Sequence, residues 1–251
     1  MVSAISIITA MIVGGIAGYI GSLMLTRKMA LVAGPLGHLA LPGVALALIY
    51  NFQIFFGALA SILIGALVIW LLSLRTKISL EALTAIVFAS GVALGFLILP
   101  IEHAEEALIG DITKVTVFDA ILAAASSLAI FFALRRIYSK IILMEISEEL
   151  AKSLDIDVRM GNLIYLLCVA VVAAMEVKIV GILLTAALTA IPAAASRNIC
   201  SNLKTYAFVS STLGACSSVL GVFIATLINL PAGPVIILTL FSFFMISVAI
   251  R

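Results

Sequence analysis

Apolar residues along this chain come in runs rather than in alternation. No charged side chain occurs from Ala120 to Leu134 or from Leu163 to Met175, and neither stretch has the period of two that a barrel strand needs. An α-helix of about 20 apolar residues crosses the roughly 30 Å of bilayer hydrocarbon. On that basis the pattern predicts about nine spans, near Ser3–Leu25, Ala30–Tyr50, Phe52–Leu74, Ala82–Leu99, Val115–Leu134, Gly161–Met175, Val180–Ala195, Tyr206–Ile228 and Val235–Ile250. Inside lipid the backbone finds no water, so each span is expected to be a helix, which pairs its own N–H and C=O groups. The expected fold is all-α: one polytopic transmembrane bundle over residues 1–251.

Composition agrees with lipid as the solvent. Of 251 residues, 65% are hydrophobic and only 10% charged, with a mean hydropathy of +1.36, which a water-soluble domain could not carry without a vast exposed apolar surface. The first run is too long for the apolar stretch of a signal peptide and has no basic residues before it, so it reads as the first span. A net charge of +2 with no basic stripe argues against a nucleic-acid partner. Cys168, Cys200 and Cys216 are scattered and read as small packing residues.

The basic residues set an orientation, because basic loops stay in the cytoplasm. Arg27, Lys28, Arg75, Lys77, Arg135, Arg136, Lys140, Lys152, Arg159, Arg197, Lys204 and Arg251 fall on one side of the nine-span pattern; only Lys114 and Lys178 fall on the other. One missed helix would exchange the sides of every later loop. The N-terminus is therefore expected outside and the C-terminus in the cytoplasm.

Two loops exceed turn length. The outer one, IEHAEEALIGDIT, carries Glu102, His103, Glu105, Glu106 and Asp111, and reads either as an acidic mouth that concentrates cations or as an ordinary solvated loop. The inner one, MEISEELAKSLDIDVRMG, places Ile146, Leu150 and Leu154 at helical spacing with charges between them. A short amphipathic helix is expected near residues 145–156. It is more acidic than basic, so docking on a partner protein fits it better than lying on lipid.

Within the spans, Gly14 with Gly18 and Gly91 with Gly95 give GxxxG spacings that read as helix-packing faces. The second span differs, since from Gly34 to Gly43 it holds two prolines, three glycines and one histidine. Pro35 and Pro42 each remove a backbone donor, and a broken helix at membrane depth has to be buried in protein or line a cavity. His38 sits between them. It is either a ligand on a path or a side chain that satisfies a carbonyl freed by the break. A second interruption is expected at Pro192, in a segment that also carries Thr185 and Thr189. Asp119, one turn inside the outer surface, reads as solvated at the interface. The chain has no Walker A glycine loop, no HExxH and no recognisable serine–histidine–acid set. No catalytic residue or cofactor of its own is expected, and energy for transport has to come from an ion gradient or a partner.

These residues resemble a known family, the ABC-3 permease subunits of ATP-driven importers for zinc, manganese and iron. The strings that carry the resemblance stand in order: LTRKMALVAGPLGHLALPGVALAL, TKISLEALTAIVFASGVALG, LIGDITKVT, EISEELAKSLDIDVRMGNLIY, VGILLTAALTAIPAAASRNI and LPAGPVIIL. The resemblance implies a multi-pass protein of the cytoplasmic membrane, surrounded by lipid. It also implies a second copy of the chain, cytoplasmic ATPase subunits that bind ATP, and an extracytoplasmic metal-binding protein. The inner loop becomes the coupling helix, with Glu148, Glu149, Leu150, Ala151 and Leu154 as docking residues. The transported metal is expected to pass His38, with Glu102, His103, Asp111 and Glu176 as further candidates and Pro35, Pro42 and Pro192 shaping the path. Where the family commonly reads D-A-x-S-H-x-x-L-P-G, this chain has Gly34 in place of the acid and Gly37 in place of the serine. Glu176 is the candidate replacement. The alternative is a secondary cation transporter working without ATP, which would be expected to show internal repeats and paired intramembrane acids.

Overall fold

A computed structural model describes residues 3–27, 30–99, 104–154 and 156–250. Its helices, in chain order, are α1 (Ala4–Thr26), α2 (Ala30–His38), α3 (Leu41–Ile49), α4 (Ile54–Arg75), α5 (Leu80–Ile98), α6 (Ala104–Ile109), α7 (Val117–Ile146), α8 (Glu148–Ser153), α9 (Val158–Val180), α10 (Thr185–Ile199), α11 (Leu203–Ile228) and α12 (Ala232–Ile250). Short 3-10 turns at Ile112–Lys114 and Ile182–Leu184 precede α7 and α10. No strand occurs among the described residues. Among the described residues, eight helical segments are long and apolar enough to cross a bilayer, and the shorter pair α2–α3 stands where the second crossing is expected.

Local signals set where these helices begin. Thr116 and Asp119 form a reciprocal capping box at the start of α7, while Asn202 Oδ1 accepts from the N–H groups of Lys204 and Thr205 at the start of α11. Each satisfies amide donors that a helix leaves unpaired at its first turn. Asn229 ends α11 in the left-handed conformation, with its N–H on Ala225 O, and Pro231 follows.

Lipid tails are as apolar as leucine, so close packing and interhelical hydrogen bonds have to hold the bundle. Helix α1 lies at its centre, packed on α7, α9, α10 and α11. Its Gly18 sits so close to α11 that an added Cβ would stand 2.2 Å from Ser210 O. The same approach lets Ser210 Oγ donate to Gly18 O at 2.6 Å and Ser211 Oγ to Gly15 O at 2.8 Å. Gly14 takes part as expected, meeting Gly214 and Ser218. Helix α9 is the most enclosed of the spans, whereas α5 and α7 are the least.

The two ends of the bundle are chemically distinct. At one, Arg27 Nη2 donates to Asn162 Oδ1 at 2.8 Å, its guanidinium lies 4.7 Å from the centre of the Tyr165 ring, and Trp70 Nε1 donates to Arg159 O at 3.2 Å. These contacts gather the ends of α1, α4 and α9, which the basic pattern assigns to one side. At the other end Lys178 meets Asp119, and the turn after α6 packs against the turn after α9.

The α1–α11 contact yields a test. Gly18→Ala is expected to force these helices apart and lower stability by roughly 1–3 kcal/mol, read as a reduced thermal midpoint in detergent. Gly15→Ala, whose methyl would meet nothing nearer than 3.6 Å, should leave the midpoint unchanged or slightly raised. Equal behaviour of the two variants would show that the contact does not depend on close backbone approach.

Candidate translocation path

The interruption of the second span lies at Leu39–Ala40, between α2 and α3. Pro42 is the residue that matters, at the first turn of α3, where its missing N–H is tolerated. Helix α2 continues through Pro35. The break turns back on itself: Leu39 N–H donates to Pro35 O and Leu36 O, and Ala40 N–H to Gly37 O. Ser61 of α4 donates its hydroxyl to Leu39 O at 2.6 Å. A serine, not the histidine, thus serves a carbonyl at the break. Among the described residues His38 makes no hydrogen bond; it is half-buried, with its ring 5.4 Å from that of Phe88 on α5. Of its two sequence readings, the carbonyl-satisfying one is not what the structure shows.

The turn that carries His38 rests on α10. An added Cβ at Gly37 would stand 2.1 Å from Thr185 Oγ1, and one at Gly34 would stand 3.2 Å from Ala186 Cβ. In this chain the Thr185 hydroxyl occupies the space that a serine at residue 37 would enter. One turn further, Thr189 Oγ1 lies 3.3 Å from Thr185 O and donates to Glu176 Oε1 at 2.7 Å. Glu176, on α9, is only 1% exposed, and Thr189 is its hydrogen-bond partner. A ladder of hydroxyls therefore runs from beneath the broken span to a buried carboxyl. No hydrogen bond or ion pair joins Glu176 to His38. Among the described residues no three side chains of His, Cys, Asp and Glu converge as a metal site.

The second interruption is displaced from its expected place. Helix α10 runs unbroken through Pro192, whose carbonyl accepts from Ser196 Oγ at 2.7 Å. The chain leaves α-geometry earlier, at Gly181 (φ 79°), and passes through the 3-10 turn at Ile182–Leu184. Gly110 (φ 74°) faces it, and an added Cβ on either glycine would fall within about 2.5 Å of the other turn's backbone. Only glycine combines positive φ with so close an approach.

At this end of the bundle Asp119 also departs from expectation. It is buried, accepts from Thr116 N–H and Oγ1 at 2.7 and 2.6 Å, and meets Lys178 Nζ at 2.5 Å. The solvated reading fails because Lys178 reaches it from α9. Opposite charges at the outer ends of two spans were visible in the sequence, but their adjacency was not. Asp111 caps the first 3-10 turn, accepting from Thr113 N–H and Oγ1, and shares a small hollow with Lys114 and Lys178. Glu102 and His103 lie outside the described residues, as do the side chains of Glu105, Glu106 and Glu148.

The inner helix is shorter than residues 145–156, since α7 continues to Ile146 and α8 covers six residues. Ser147 Oγ caps it by accepting from Leu150 N–H. Ala151 is turned fully inward, whereas Glu149, Leu150 and Leu154 are exposed. Two leucines and a carboxylate thus project from the basic end of the bundle.

A lipid-spanning helical bundle with an interrupted second span and a short projecting helix is the architecture of a transporter's membrane subunit. The family described as "ABC 3 transport family" matches residues 1–251, and the chain belongs to it. It is accordingly a multi-pass permease of the cytoplasmic membrane in an ATP-driven system, and the ATP-independent alternative falls away. Similar proteins include the manganese import system permease ScaB of Streptococcus gordonii, 28% identical over 246 residues that cover 96% of this chain and 88% of the relative. The zinc uptake membrane protein ZnuB of Buchnera aphidicola subsp. Baizongia pistaciae is 28% identical over 239 residues, covering 92% and 91%. Among solved structures, PsaBC from Streptococcus pneumoniae in complex with Fab superposes with a TM-score of 0.83 at 31% identity, covering 96% of this chain and 89% of that one. An inward-facing metal-chelate type ABC transporter, at 18% identity and a TM-score of 0.76, shares the fold.

The Asp119–Lys178 pair supplies a second test. Lys178→Met would leave a buried carboxylate without its cation and is expected to cost roughly 3–5 kcal/mol. Adding Asp119→Asn to that variant should restore much of the loss. Thermal midpoints of the two variants decide it, and a harmless Lys178→Met would mean the pair is not structurally required.

Proposed function

We propose that this chain is the permease of an importer for a divalent transition metal, manganese or zinc, with iron as a further candidate. The observation that carries the reading is His38: a half-buried imidazole at a helix break, free of hydrogen bonds among the described residues. Relatives named as manganese and zinc importers support the cargo. An imidazole nitrogen is a suitable ligand for such ions, and a path must hold them loosely, since a complete cage of four ligands would not release zinc. In a two-fold pair of permeases each copy contributes one His38. Glu176, backed by Thr189, is the candidate carboxylate where Gly34 lacks one.

On this reading the metal is cargo, and the permease performs no chemistry. ATP is bound and hydrolysed by separate cytoplasmic subunits, and an extracytoplasmic protein delivers the metal at the end that carries Asp111, Glu102 and His103. Helix α8 links the two processes. Leu150 and Leu154 offer apolar anchors and Glu149 a charge, while buried Ala151 ties the helix to the bundle, so movement of the motor is transmitted to α7 and α9. Alternating access follows when that movement exchanges the outer opening for an inner one.

Uptake by the reconstituted complex, measured for manganese, zinc and iron in competition, identifies the cargo. His38→Ala should abolish metal uptake while the permease still co-purifies with its ATPase; undiminished uptake would remove His38 from the path. Glu149→Ala with Leu150→Ala should leave metal-binding protein unable to stimulate ATP hydrolysis. Full stimulation together with normal co-purification would show that α8 is not the docking element.

A further inference from the structure

A cleft of about 850 Å³ lies between α1, α7 and α11, away from His38 and α8. Its walls have two zones. Ile12 and Ile16 of α1, Leu128 and Phe131 of α7, and Phe208 of α11 make an apolar trough, with the Tyr19 and Phe131 rings 5.4 Å apart across it. Arg135, Tyr138 and Ser139 of α7 and Lys204 of α11 gather at one end. Neither Arg135 nor Lys204 forms an ion pair among the described residues. Ser127 Oγ, also in the wall, is buried without a hydrogen-bond partner.

The two zones match the depth profile of one leaflet. From Val117 to Arg135, α7 rises about 27 Å at 1.5 Å per residue, close to the thickness of bilayer hydrocarbon. Arg135 is therefore level with the headgroups at the basic end of the bundle. From Ala124 to Ser139 the α7 wall is about 22 Å long, comparable to half a bilayer including its headgroup layer. Two cations at headgroup depth above an apolar trough are complementary to an anion that carries an acyl chain, and they repel a metal cation. We propose that this cleft binds one anionic glycerophospholipid of the cytoplasmic leaflet, its phosphate held by Arg135 and Lys204 and an acyl chain lying along the trough. The same helix, α7, leads directly into α8.

Native mass spectrometry of the full-length chain tests this, after incubation with equal amounts of phosphatidylglycerol and phosphatidylcholine of the same acyl chains. One phosphatidylglycerol per chain is expected to be retained, with a preference of roughly thirtyfold, the worth of two basic residues at a lipid surface. Arg135→Gln with Lys204→Gln should abolish the preference. Arg136→Gln with Lys140→Gln, which removes the same charge from α7 outside the cleft, should preserve it. Ala207→Trp, which fills the trough, should reduce retention of both lipids. Equal retention of both lipids by the parent chain, or an unaltered preference in the Arg135/Lys204 variant, overturns the proposal. Displacement of the lipid by inorganic phosphate would do the same, since it would make the site one for phosphate alone. So would efficient disulfide cross-linking of two chains through Phe208→Cys in nanodiscs, with the three native cysteines replaced by serine, because a second copy would then cover the cleft.

Discussion

Hydrocarbon offers the backbone no hydrogen-bond partner, and a polar group left unpaired there costs roughly 2–7 kcal/mol. Every departure from helix within the bundle has to answer that cost from inside the protein. At Leu39–Ala40 the answer comes from the turn's own amides and from the Ser61 hydroxyl on Leu39 O. At Gly181 the chain keeps its N–H on Val177 O and enters a 3-10 turn packed beneath α6. Because Ser61 supplies the break from a neighbouring helix, His38 is released from that duty. The freedom of the imidazole is thus a consequence of backbone accounting at the very next residue.

Close packing connects this break to the rest of the site. Small residues let α1 approach α11 and α10 to backbone contact, and Gly21 on α1 sits against Thr189 O. A larger residue at position 21 would push α10 outward, and with it the Thr189 hydroxyl that reaches Glu176 on α9. The missing side chain at Gly37 does the same on the opposite flank, letting the His38 turn settle on Thr185. Glycines that look like generic packing positions in the sequence therefore fix the spacing of the hydroxyl ladder.

Span positions were legible because bilayer thickness enforces length, and the sorting of basic residues could be checked by contacts such as Arg27–Asn162 and Trp70–Arg159. The broken second span was legible from its prolines and glycines. Which proline breaks a helix was not. Pro42 starts a new helix, whereas Pro35 and Pro192 are carried inside continuous ones, since proline removes one donor and neighbouring groups can absorb that loss. The interruption near α10 falls instead on Gly181, whose positive φ no spacing rule reveals. Ser61 is illegible for a similar reason: a serine in an apolar run looks like packing until its partner, the Leu39 carbonyl, is known.

The outer charges are best understood through the cargo proposed for this chain. An uncompensated ammonium about 10 Å from a divalent ion would oppose it by roughly 3 kcal/mol at an effective dielectric near 20. Lys178 stands at the end where such an ion would arrive, on the same helix as Glu176 and less than one turn from it. Its pairing with Asp119 cancels most of that field while keeping a cation that ties α9 to α7. Asp119 in turn is held by the Thr116 cap, so it cannot swing away to follow a passing ion. The pair thus joins the two helices that flank α8 in the chain and leaves the Thr189 hydroxyl, not Lys178, as the partner of the Glu176 carboxyl on that stretch of α9. A span residue whose shallow depth suggests solvation at the interface is instead the buried partner that neutralises a lysine beside the proposed route.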